Sequence, residues 1–372
     1  MMQAVLFTTS SDIDMKKKLI LIIVITVLAA AGLLFLVQGL LMPKFMSEIP
    51  EGAMIQEYYD NAGGNDVIFI SDCEVYENFS PVTLWEEYGI TSYIRGSAQQ
   101  LIWQSYYLME ETFKYETPDI MIFNVLEMKY NTPSDTGASS QREAYNRMTL
   151  DGMRWSSSKW NSIYASMTKE ERSKDGVWSY IFPILRYHDR WSELSGEDFR
   201  YLFSRDQMTD NGYLMQVKVN PVGDDYPVIP LVDYSFGDNA YYYLDKMVEL
   251  CEEHGTQLVL VKAPTLSPIW YDEWEEQMEQ YAQEHGLLYF NFLEKIDEIG
   301  IDWNTDTYDQ GLHLNVYGAE KLSRYFGKIL SEELGVKDHR GEEETARKWE
   351  EKCETYMNRK ERLEKELTNI VE

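Results

Sequence analysis

The chain has 372 residues, 44% hydrophobic and 14% aromatic, enough for one large folded domain or two ordinary ones. Its 63 acidic and 34 basic residues leave a formal charge of −29, which repels phosphate and excludes nucleic acid as a partner. Three widely spaced cysteines, Cys73, Cys251 and Cys353, suggest neither a disulfide framework nor a zinc site.

Residues 1–18 read as a cytoplasmic tail, with Met15 as a second reasonable start. Leu19–Met42 is almost pure hydrocarbon, with Thr26 and Gln38 its only clearly polar members. About 20 helical residues cross a bilayer's apolar core, so this run predicts a transmembrane anchor. Lys16, Lys17 and Lys18 precede it, whereas Lys44 stands alone beyond it beside Glu48 and Glu51. That asymmetry puts the N-terminus in the cytoplasm and the main domain outside a cell membrane. The apolar run continues past the small residues Ala29, Ala30 and Ala31, which favours an uncleaved anchor over a signal peptide. Residues 43–65 read as a stalk, broken by Gly52, Gly63 and Gly64.

From Asp66 strand-like and helix-like segments alternate. Strands are expected at Val67–Ile70, Thr91–Ile94, Asp119–Leu126, Thr256–Lys262 and Leu287–Phe290. Helices are expected at Val82–Tyr88, Ala98–Tyr115, Tyr241–His254, Ile269–His285 and Val316–Leu330. The pattern predicts an α/β fold: a three-layer, mostly parallel sheet covered on both faces, built from residues 66–127 and 240–335. Between them, residues 128–239 carry Trp155, Trp160, Trp178 and Trp191 without clear periodicity and read as an insert or cap. Residues 336–372 form a charged helix in which Trp349, Tyr356, Leu363 and Ile370 recur every seven residues, with Cys353 and Leu367 four further on. This narrow seam suits packing on the chain's own body; a partner helix is the alternative.

Two stretches carry chemistry. Val67–Ile70 ends in the polar elbow Ser71-Asp72-Cys73-Glu74, and Asp309 stands four residues before His313. A nucleophile after an early strand, with an acid and a histidine near the chain's end, is an order many hydrolytic triads follow. Ligands of open parallel sheets collect beyond the carboxyl ends of the strands, where Cys73, Gly96 and His313 are all expected. Cys73 would attack an acyl carbon, His313 take its proton and Asp309 orient the ring. Backbone N–H groups of Cys73 or Gly96 would face the oxyanion. Asp72 and Glu74 raise the thiol's pKa and a helix start after it lowers it, so sequence leaves open whether Cys73 is active or inert. His188, between Arg186 and Arg190, is a further candidate for the crevice or a surface ion-pair cluster. His254 and His285 end predicted helices and receive no role, and Asn78-Phe79-Ser80 matches a glycosylation triplet. The chemistry calls for no metal or organic cofactor.

These residues resemble the SGNH hydrolase superfamily, in particular its membrane-anchored envelope branch. That branch includes proteins of teichoic acid D-alanyl transfer and exopolysaccharide O-acetylation. The elbow Ser71-Asp72-Cys73-Glu74 stands for its first block, with cysteine in place of serine, and Gly96 for its second-block glycine. Asp309, His313-Leu314-Asn315 and Gly318-Ala319-Glu320-Lys321 match the last block. The third-block Gly-x-Asn-Asp is missing; Asn124 and Glu127 lie near its place. The resemblance implies a bacterial esterase or O-acyltransferase acting on an acylated cell-envelope glycopolymer. The alternative is a degenerate member that binds glycopolymer or scaffolds a membrane-bound O-acyltransferase.

Overall fold

The computed structural model describes residues 10–42, 51–136, 139–173, 176–204, 206–223 and 228–371, in two compact units. One unit joins Met1–Lys44 to Asp175–Asp206; the other holds Phe45–Lys174 and Gln207–Glu372.

The first unit is organised by α1 (Ser10–Leu41). Its candidate span Met15–Leu41 has 27 residues, and its most apolar 18-residue stretch has a mean hydropathy of 3.2 with none of its residues buried. At about 1.5 Å per residue the run is roughly 40 Å long, more than a hydrocarbon core of about 30 Å. The short segments Ile184–Tyr187, His188–Ser192 and Gly196–Arg200 pack on α1. Arg190 Nη1 donates to the Leu41 carbonyl at 2.9 Å, satisfying one of the acceptors a helix end leaves free.

The second unit is an α/β domain on five parallel strands: β1 (Val67–Ser71), β2 (Ser92–Gly96), β3 (Ile120–Asn124), β4 (Gln257–Lys262) and β5 (Leu288–Asn291). Their order across the sheet is β2-β1-β3-β4-β5, so the winding reverses between β1 and β3. That switch point opens a crevice at the carboxyl ends of the two strands. Every residue of β1, β2 and β3 is buried, as a sheet interior flanked by helices requires. The helices are α2 (Glu51–Asn61), α3 (Cys73–Tyr76), α4 (Pro81–Tyr88), α5 (Ile102–Thr112), α6 (Asp238–His254), α7 (Asp272–His285), α8 (Val316–Lys328) and α9 (Glu343–Val371). Phe69, Phe79, Phe292 and Phe326 meet at centroid distances of 5.0 to 6.3 Å in the core beneath β1 and α8.

The strands fall where alternation predicts them, and most helix ends differ by a few residues. Residues 51–61 do not form a stalk. They form α2, whose Met54, Ile55 and Tyr58 are completely buried, while Tyr58 hydrogen-bonds Glu116 at 2.7 Å. The remainder of the expected stalk, residues 43–50, lies outside the described residues, as does the tail before Ser10. Residues 128–239 do not stay together as one cap. Ser139–Leu150 packs on α2 and Ser157–Ala165 on α5, while residues 176–204 join the apolar helix. An extended stretch then runs past the crevice, pairing Leu214 N with Tyr76 O at 2.8 Å and Gln216 O with Val316 N at 2.7 Å. The seam of α9 turns onto the body: Trp349 stacks on Trp85 at 5.2 Å, and Tyr356 is buried beside Tyr213.

Candidate active site

β1 stops at Ser71 because the next residue caps a new turn: Asp72 Oδ1 accepts from Glu74 N at 3.1 Å, and α3 starts on Cys73. The helix is one turn long, so the dipole assistance expected for the thiol is small. Gly96 ends β2 against this elbow. A Cβ there would lie 2.5 Å from the Ser71 carbonyl and 3.4 Å from that of Asp72, so only glycine lets the two strand ends close up. Its observed role is this close approach.

Asp309 and His313 sit on the loop before α8. Gln310 and Gly311 take left-handed conformations, φ 65° and 89°, which folds four residues into a turn tight enough to return the acid onto the histidine. Asp309 uses both oxygens: Oδ1 accepts from His313 N at 2.8 Å and Oδ2 meets Nδ1 of the ring at 2.7 Å. Glu77 supplies a second carboxylate 3.0 Å from the same nitrogen. Tyr308 donates to Glu77 at 2.6 Å and stacks its ring on the imidazole at 14°.

Nδ1 being occupied by carboxylates, Nε2 is the edge left for the thiol. Cys73 and His313 each act on the other's ionisation, and Nε2 makes no hydrogen bond among the described residues. Asn78 locks this arrangement: its Nδ2 donates to Glu74 O at 2.9 Å and its Oδ1 accepts from Leu314 N at 2.7 Å. The matched glycosylation triplet is therefore a buried clamp between the two chemistry-bearing stretches.

Burial pushes the Cys73 thiol up to about 11, with Asp72 adding to the rise and His313 opposing it. For His313, burial acts downward, but the charge of Cys73, that of Glu77 and the bond from Asp309 outweigh it and lift the ring well above its ordinary value. Glu77, Asp309 and His313 also bring one ligand atom each within 4.8 Å of the others, a donor set able to hold a cation when the ring is deprotonated.

No family model matches the chain, and no curated protein is similar to it. The site is therefore read from its own geometry.

Beside the thiol, the remaining expected residues are engaged in a buried polar network. Asn124 gives an amide proton to Glu74 at 2.8 Å and accepts from Ala263 N at 3.1 Å. Glu74 pairs with the fully buried Lys262 at 3.1 Å and receives the Thr265 hydroxyl. Glu127 accepts from Ser71 Oγ at 2.9 Å and from Ser105 Oγ at 2.7 Å, and burial, then the charge of Asp72, raises its pKa well above normal. Asn124 and Glu127 thus fix the elbow from beneath. His188 belongs to the first unit, on the turn His188–Ser192. Its neighbour Arg190 is committed to Leu41 and Asp198.

Sequence reasoning missed Glu77, Tyr308, Asn78 and Lys262. Glu77 was recoverable, since it follows Cys73 by four residues, one helical turn. Lys262 ends an otherwise apolar strand at the crevice, an expensive position for an unpaired charge. A cavity of about 490 Å³ lies elsewhere, between Gly63, Gly64 and Asn65 before β1 and Trp349 and Lys352 of α9, with Cys73 not among its lining residues.

Proposed function

We propose that the chain is a single-pass membrane protein whose outward-facing, three-layer α/β domain is of the SGNH, flavodoxin-like kind. It would cleave or transfer an ester-linked acyl group on a cell-envelope glycopolymer. The observation that carries this reading is the His313 ring, bound through Nδ1 to Asp309 at 2.7 Å and interacting with Cys73. The strand order 2-1-3-4-5, with Cys73 at the switch point, supports it too. In the reaction the Cys73 thiol gives its proton to neutral His313 as sulfur attacks the acyl carbon. The alcohol leaves with that proton, and water or a second hydroxyl takes the acyl group from the thioester. Glu77 and Asp309 stabilise the imidazolium formed in the first step. Because Cys73, Glu77 and Asp309 together lift the ring's pKa against burial, turnover would rise toward alkaline pH.

A second reading is favoured by a separate observation: the thiol is pushed up to about 11 and the Asn124 side chain is committed to Glu74 and Ala263. On this reading the domain binds glycopolymer, or scaffolds a membrane-bound O-acyltransferase, without turnover. The test is labelling of the full-length protein in detergent with an acyl-transferring ester probe, followed by peptide mapping. Label on Cys73 that is lost in His313→Ala supports the enzyme. An unlabelled Cys73 across pH 7–10, with envelope acylation intact in a Cys73→Ala strain but lost on deletion, leaves the scaffold.

A further inference from the structure

Residues 176–204 expose an unusual number of large apolar side chains. Their buried side chains include Tyr180, Tyr187, Tyr201 and Asp198, all of which carry polar groups. Beside exposed polar residues, six large apolar side chains face outward: Trp178, Phe182, Leu185, Trp191, Phe199 and Phe203, with Trp191 72% and Phe203 88% exposed. A segment folded for water does the reverse; large apolar side chains displayed together mark a surface that meets something apolar. The segment also has a fixed address. It packs on the carboxyl end of α1, where Arg190 holds the Leu41 carbonyl and Leu202 lies against Gly39.

The depth of that address follows from α1 itself. Residues Leu19 to Leu36 are exposed all round, and covering begins at Val37. Those 18 bare residues rise about 27 Å at 1.5 Å each, close to the thickness of a hydrocarbon core of about 30 Å. The covered turn therefore falls at the boundary between acyl chains and headgroups, the level where tryptophan and other amphipathic or aromatic groups collect.

On the reading that α1 spans a membrane, we infer that residues 176–204 form an interfacial collar that inserts Trp178, Phe182, Leu185, Trp191, Phe199 and Phe203 into the outer leaflet beside the anchor. The ligand is the lipid bilayer itself. Three arginines and four acids in the segment leave it nearly neutral, so apolar insertion rather than attraction to anionic lipid drives the contact. The collar fixes the anchor's rotation and depth, where a bare single helix would turn and slide freely.

The test uses the full chain in phosphatidylcholine vesicles whose acyl chains carry bromine near the headgroup. The chain has ten tryptophans; α1 contains none, and the collar contains Trp178 and Trp191. Brominated lipid is expected to quench part of the emission, and Trp178→Phe with Trp191→Phe to remove at least half of that quenched part. The replacements stay aromatic and apolar, so folding is preserved. Carbonate extraction is run alongside. Protein that resists carbonate but is quenched equally with and without the two tryptophans refutes the collar alone. Protein released by carbonate refutes the anchor and the collar with it.

Discussion

Asp72 is the cheapest place to test the electrostatics of the elbow. It is almost fully buried and accepts a single backbone hydrogen bond, from Glu74 N. Burial and the neighbouring Glu74 raise its carboxyl from 3.8 to about 6. A raised carboxyl pKa favours the protonated native state: that contribution is complete below pH 3.8 and is lost as pH climbs through about 6. At 1.36 kcal/mol for each pH unit, the ionised group costs about 3 kcal/mol of stability at pH 8. About 1.4 kcal/mol of that develops between pH 5 and pH 8. Asp72→Asn keeps the shape and the acceptor while removing the charge. Urea unfolding of the full chain in detergent should show the variant gaining on the native protein by about that amount from pH 5 to pH 8. The same change removes the charge that, after burial, most raises the Cys73 thiol, so alkylation of Cys73 by iodoacetamide at pH 8 should quicken. A stability difference independent of pH, or slower alkylation, would falsify the account.

Other outcomes follow from single contacts. Glu77→Gln removes one of the carboxylates on Nδ1, so the His313 titration followed by imidazole NMR should move down toward its ordinary value; an unmoved midpoint would show that Glu77 carries no weight. Gly96→Ala drives a methyl into the Ser71 carbonyl, backbone that has no room to yield, and should cost about 1–3 kcal/mol in denaturant unfolding. Asn78→Ala leaves the Leu314 N–H buried and unpaired, a loss of about 1–3 kcal/mol that should be accompanied by weaker Cys73 labelling as the two stretches loosen. Trp349→Ala empties the stack on Trp85 and should lower stability by about 3–5 kcal/mol; a change below 1 kcal/mol would mean α9 is dispensable to the fold.

Much of the fold was legible because burial writes itself into composition. β1 and β3 are apolar runs up to their last residue, α4 is bracketed by Ser80 and Gly89, and Trp349 and Tyr356 of the α9 seam point inward as its spacing predicts. The pairing of Asp309 with His313 was legible for a local reason, four residues on one turn. What distance brings together was not. Tyr308 reaches Glu77 across 231 positions and Lys262 reaches Glu74 across 188, and no periodicity connects such pairs. α2 escaped notice because Gly52 and the glycines after it mask its pattern, although Met54, Ile55 and Tyr58 stand at helical spacing. The collar escaped because its apolar side chains face outward, the opposite of the assumption by which periodicity is read.

The last thirty residues have a consequence for biosynthesis. Tyr356 and Lys360 of α9 both bind Glu320, and Glu364 binds Tyr317, so the final segment bolts down α8, the helix that follows the His313 loop. Chains fold from the front as they are made, so α8 emerges before the α9 that braces it. A chain cut short before α9 keeps its sheet but lacks the contacts that hold α8 in place.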